Sequence, residues 1–185
     1  MAVQHKTYTN AEFATLEALA ENVDKILELI DGEIVEKMPS FTPSRIAMNI
    51  GRHLGNFLEA HDLGYVTGEA GGYVMSEGNV FNPDVAYISK SRLPQAPERE
   101  VPMAPDLAVE VKSPTDTKRA MRRKAEKYLA SGTQIVWLVF PVEQIIEVYE
   151  SSEDVRVVAI DGTLDGGVVL PDFHLSVRNV FGIRP

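Results

Sequence analysis

Asp106-Leu107-Ala108-Val109-Glu110-Val111-Lys112 alternates between two kinds of side chain. Successive side chains of a β-strand point to opposite faces. Leu107, Val109 and Val111 therefore share one face, and Ala108, Glu110 and Lys112 share the other. The first is a core face. The second sets a carboxylate beside an ammonium, which is ordinary on an exposed face and needs a reason on a covered one. Downstream, Ser113-Pro114-Thr115-Asp116 breaks the strand and starts a helix with Met121, Ala125, Tyr128 and Leu129 as its buried stripe. Ser131-Gly132 ends that helix. Ile135-Val136-Trp137-Leu138-Val139-Phe140 is apolar throughout and predicts a central strand covered on both faces.

Upstream, Pro83-Asp84 lies 26 residues before Glu110, in the preceding strand. If the two strands are neighbours, Asp84 and Glu110 approach each other. Adjacent carboxylates repel and raise one another's pKa. A hard divalent cation such as Mg²⁺ removes that cost, and it needs only one or two carboxylates besides carbonyl oxygen and water. A nearby Lys ammonium can hold an attacking water or neutralise charge on a phosphoryl oxygen. The chemistry indicated is metal-assisted phosphodiester hydrolysis. Pro105-Asp106 is a second Pro-Asp pair, with Asp106 on the same face as Glu110. The spacing of Asp84 suits a two-strand site better.

The rest of the chain predicts helices and sheet in alternation. Thr9-Asn10-Ala11-Glu12 is a capping box opening a helix over about 10–21. Asp31-Gly32 joins two β-prone runs, 26–30 and 33–37, as a hairpin. Ile46, Ile50, Leu54, Phe57 and Leu58 form one stripe of a helix over about 43–60, with Thr42 as N-cap and Pro43 first in the helix. Residues 65–74 and 80–89 read as two strands turning at Glu77-Gly78-Asn79, and 90–105 is a loop with four prolines. Strands over 143–150 and 155–160, then a short strand and turn, complete a mixed α/β sheet with helices on its faces.

The 185 residues suit a single domain, 1–185. No apolar run is long enough to span a membrane, the start shows no signal-peptide pattern, and there is no cysteine. A cytoplasmic protein without disulfides or thiolate metal sites is expected. The four histidines, His5, His53, His61 and His174, have no metal-ligand spacing. Net charge is −9, yet residues 112–127 carry seven basic and two acidic side chains. Within that stretch Lys118, Arg119, Arg122 and Arg123 read either as a solvated helix face or as a local phosphate contact.

Pro83-Asp84 followed by Glu110-Val111-Lys112 resembles the PD-(D/E)xK nuclease signature. Leu29-Ile30-Asp31-Gly32-Glu33, Asn82-Pro83-Asp84-Val85-Ala86, the stretch from Ala104 to Pro114, Lys124-Ala125-Glu126-Lys127-Tyr128 and Ile135–Val139 together resemble the Uma-two family of restriction-endonuclease-like proteins. The resemblance implies a restriction-endonuclease-like core. It implies that Asp84 and Glu110 ligate a metal and that Lys112 assists the water. It also makes Glu33, otherwise a surface acid near a turn, a candidate further carboxylate. Many relatives carry an apolar residue where Lys112 stands, and the His that relatives often carry near the start of the second helix is absent from Phe41–Arg45. The expectation is a Mg²⁺-dependent DNA endonuclease, with Mn²⁺ as a substitute metal, working as a homodimer. The alternative is a silent nuclease-fold module that binds nucleic acid or a protein, the latter through the 90–105 loop.

Overall fold

The computed structural model describes residues 6–150 and 154–183. His5 and the start of the chain before it lie outside them. A six-stranded mixed sheet forms the centre, in the order β10(Val155–Val158), β9(Ile145–Tyr149), β8(Ile135–Phe140), β7(Leu107–Val111), β6(Val85–Ser89), β3(Gly64–Gly68). β7 and β8 are parallel, linked by α3(Lys118–Ala130), and the other pairs are antiparallel. A parallel pair needs such a crossover, because a hairpin cannot join strands running the same way.

β7 and β8 are buried along their whole length. Leu107, Val109 and Val111 pack with Trp137 and Val139 beneath α2(Phe41–His61), α4(Val177–Phe181) and β12(Leu170–Ser176). Ala108, Val136, Leu138 and Phe140 pack on the opposite face with Met121, Ala125 and Tyr128 of α3. The face carrying Glu110 is thus covered. The buried stripe of α2 is Ile46, Ile50, Leu54 and Leu58, as its spacing predicts, with Phe57 only partly buried.

A smaller sheet runs β2(Glu33–Glu36), β1(Leu27–Ile30), β5(Asn79–Phe81), β4(Tyr73–Ser76), beside α1(Asn10–Glu17). The Thr9–Glu12 capping box is present. Asp31 and Gly32 both take positive φ, 54° and 79°, which the two-residue hairpin requires.

Four stretches differ from the sequence expectation, the first being α1, which ends at Glu17 instead of near residue 21. The two strands expected over 65–74 and 80–89 are four. β3 and β6 join the large sheet, while β4 and β5 leave it for the small one. The break falls at Gly71-Gly72, where a Cβ on Gly71 would come within 2.8 Å of Thr67, and at Pro83, which has no N–H for a ladder. Helix α2 begins two residues early, with Ser40 as N-cap and Pro43 in its first turn, where the missing N–H would have no partner in the helix. The tail forms a hairpin, β11(Thr163–Gly166) with β12, followed by α4, instead of one strand and a turn. The 90–105 loop is tied down. Val101 bridges Tyr73, and Leu93 and Val101 are buried with Tyr73, Ala86 and Ile88.

Candidate active site

The antiparallel register that pairs Val85 with Val109 sets Asp84 across from Glu110, one step beyond the β6–β7 ladder. Side chains opposite each other in such a pair have Cβ atoms about 5 Å apart. Both carboxylates line one cavity of 890 Å³, together with residues of α2, β2 and α3. The Asp84 carboxylate accepts from Lys37 Nζ at 2.7 Å and from the Val111 N–H at 2.7 Å. Glu110 accepts from the Tyr128 hydroxyl at 2.7 Å and pairs with Lys124 Nζ at 2.8 Å. Lys124 also holds Glu28 of β1, at 2.7 and 2.9 Å, and Glu28 in turn accepts from the Asn82 N–H at 2.7 Å. Three carboxylates and two ammonium groups are thereby interlocked.

Their titration follows from this crowding. Burial pushes the Asp84 pKa up and the Glu110 charge pushes it further, against the pull of Lys37. Burial would lower the pKa of Lys37, but the Glu110 and Asp84 carboxylates outweigh it and hold it above the ordinary lysine value. Lys124 behaves alike, held far above the lysine range by Glu110 and Glu28 despite its burial. Burial and then the Glu110 charge keep the Tyr128 hydroxyl protonated well beyond the usual tyrosine range. Both lysines are therefore donors and fixed positive charges at neutral pH, not bases.

The raised value of Asp84 has a sign that can be checked. The folded chain takes up this proton at higher pH than the unfolded chain, so ionised Asp84 costs stability, and the cost is relieved as pH falls through its folded pKa. Glu110→Gln should move that pKa down and Lys37→Met should move it up, read by carboxyl-carbon NMR titration. Shifts of the same sign in both variants would contradict the arrangement.

The donor chemistry fits a hard divalent cation. Asp84 and Glu110 supply oxygen only, no histidine lines the cavity, and Mg²⁺ takes one or two carboxylates while keeping water. Among the described residues no group of three or more His, Asp or Glu side chains is placed to hold a metal ion.

A family profile described as "Uma2: Putative restriction endonuclease" matches residues 11–178. The chain belongs to the Uma2 family. The crystal structure of "a putative nuclease belonging to DUF820" from Anabaena variabilis superposes with a TM-score of 0.80, covering 95% of this chain and 98% of that one at 23% identity, a likeness of fold. No curated protein matches.

Within this Uma2 chain the expected site residues divide. Asp84 and Glu110 come together. Lys112 does not line the cavity; its Nζ donates to the Ser113 carbonyl at 2.9 Å and its charge is felt by Glu143. Glu33 sits exposed at the turn end of the hairpin, opposite Ile30, and outside the cavity lining. Glu69, which follows β3 and from its sequence reads first as a strand-surface acid, lines the cavity. Asp106, at the far end of β7, is held by Arg92, Gln134 and the Ser89 N–H, a structural set that keeps its pKa low despite burial. Of the basic helix, Lys118 pairs with Glu143 and Arg122 with Glu147, whereas Arg119 and Arg123 are exposed.

Glu28, Lys37 and Lys124 had not been singled out from sequence. A signal existed for one of them. Met121, Lys124, Ala125 and Tyr128 stand at i, i+3, i+4 and i+7, so Lys124 lies within the buried stripe of its helix. Among the described residues no helix is long and apolar enough to cross a membrane.

Proposed function

We propose that this Uma2 chain is a divalent-metal-dependent DNA endonuclease that hydrolyses phosphodiester bonds in the 890 Å³ cavity. The observation that supports it is the pair Asp84 and Glu110, set across from each other on adjacent strands with ammonium groups at both. Asp84 and Glu110 would hold Mg²⁺ or Mn²⁺, which would polarise a phosphoryl oxygen and acidify a bound water.

The remaining work falls to the chain's own groups. Lys37 and the Val111 N–H fix the orientation of Asp84. Tyr128 and Lys124 fix Glu110, and Glu28 anchors Lys124 from the neighbouring sheet. Preorganised positive charge at this place stabilises the negative charge that develops on the phosphoryl group, without reorganisation during the reaction. Lys124 takes this part better than Lys112, because it touches Glu110 directly. Arg119 and Arg123 are the phosphate contacts of α3, and a symmetric dimer would present two such sites.

One observation favours the rival reading of a silent module: both carboxylates already have a lysine partner. Incubation with plasmid and with single-stranded circular DNA decides. Cleavage in Mg²⁺ or Mn²⁺ and none in EDTA is the expected result. Intact DNA under all conditions, from folded protein, would leave a binding module.

A further inference from the structure

The cavity has two unlike sides. Arg123, Lys124 and Lys127 of α3 bring positive charge to one. The other is apolar, with Val35 of β2, Met38 between β2 and α2, and Pro43 and Met48 of α2. Met38 is 69% exposed and Met48 70% exposed, and Phe41, 82% exposed, lies seven residues before Met48 on the same helix face. Apolar side chains gathered on one exposed rim, next to a polar site, mark a binding surface more often than chance exposure.

We propose that the substrate of this site is single-stranded DNA, whose unstacked bases lie against Phe41, Met38 and Met48 while its phosphates face α3. The inference rests on the nuclease reading and narrows it to a substrate class. Three observations carry it. First, seven carboxylates and only four cations line the cavity. Of those cations Lys37 is paired with Asp84, Lys124 with Glu28 and Glu110, and Lys127 with Asp31; Arg123 alone has no ion pair among the described residues. A duplex binder draws its affinity from many phosphate contacts, and this lining cannot supply them. Second, a base stacked on an exposed aromatic side chain such as Phe41 adds affinity beyond the phosphate contacts, and a duplex keeps its base faces inside its stack. Third, 890 Å³ is the size of pockets that enclose small ligands, about 300–1,000 Å³. It suits one or two splayed nucleotides, not a double helix.

The test compares one fluorescein-labelled 20-mer, alone and annealed to its complement. Binding is read by anisotropy in EDTA and cutting by gel in Mn²⁺. The single strand should bind and be cut about tenfold better than the duplex. Phe41→Ala/Met48→Ala, at two exposed positions where folding is not at stake, should weaken single-strand binding about tenfold, the scale of losing one base contact. Duplex binding should change less than twofold. Arg123→Ala should weaken both forms and lower the salt slope.

Preference for duplex, or equal loss of both forms in the double variant, overturns the inference while cutting in Mn²⁺ leaves the nuclease reading standing. A dimer that the double variant dissociates, with single-strand affinity unchanged, makes the rim a subunit contact and overturns it too. If neither form is bound or cut, the nuclease reading falls and takes this inference with it.

Discussion

Lys124→Met is expected to destabilise the protein by about 3–5 kcal/mol, the usual cost of removing one partner from a buried ion pair. The lysine side chain is only 13% exposed, and its Nζ lies 2.7 Å from Glu28 and 2.8 Å from Glu110. Methionine fills nearly the same volume, so little packing is lost. What disappears is the positive charge between two buried carboxylates. Urea denaturation should show a lower midpoint with an unchanged m-value. Because the Lys124 pKa is raised, its contribution is fully present below the ordinary lysine value and is lost only as pH rises through the raised folded one. The gap between parent and variant should therefore stay constant from about pH 7 to pH 9. Adding Glu28→Gln should restore part of the loss, since one of the stranded charges is gone and an acceptor for the Asn82 N–H remains. A loss below about 1 kcal/mol would mean that the network is solvated and behaves as a surface pair.

Cleavage should separate the two lysines that sequence and structure nominate. Asp84→Ala and Glu110→Ala should cut DNA at background rates and lose Mn²⁺ binding by calorimetry, since each would lose a proposed metal ligand. Lys124→Ala should slow cleavage by about 10²–10³-fold, the loss typical of one preorganised charge-stabilising group, measured on the fraction that circular dichroism shows to be folded. Lys112→Ala should fall within a few-fold of the parent, because its ammonium is spent on the Ser113 carbonyl. The opposite ranking, with Lys112→Ala crippled and Lys124→Ala active, would return the role to the strand lysine.

Much of the architecture is legible in local pattern. The period-2 alternation of Leu107–Val111 and the unbroken apolar run of Ile135–Phe140 reflect burial on one or both faces of a strand, and the stripe of Ile46, Ile50, Leu54 and Leu58 reflects a helix lying on that sheet. Asp31-Gly32 and the Thr9–Glu12 box act within a few residues of themselves. Less legible is the exit of β4 and β5 into a second sheet. Gly71-Gly72 and Pro83 mark the breaks, but which edge accepts a released strand depends on a free partner, here β1, some 50 residues away.

The site divides in the same way. The sequence by itself determined that Glu110 shares a strand face with Ala108 and that Asp84 precedes the neighbouring strand, because alternation and short connections are local properties. Only the tertiary structure decided which ammonium meets which carboxylate. Lys37 reaches Asp84 across 47 positions, and Lys124 reaches Glu28 across 96. Lys112 stands two residues from Glu110, yet at the strand's end its flexible stem finds a carbonyl instead. A lysine head is placed by whatever buried charge lies within reach of its stem, and that is set by how the hairpin, the sheet and α3 pack together.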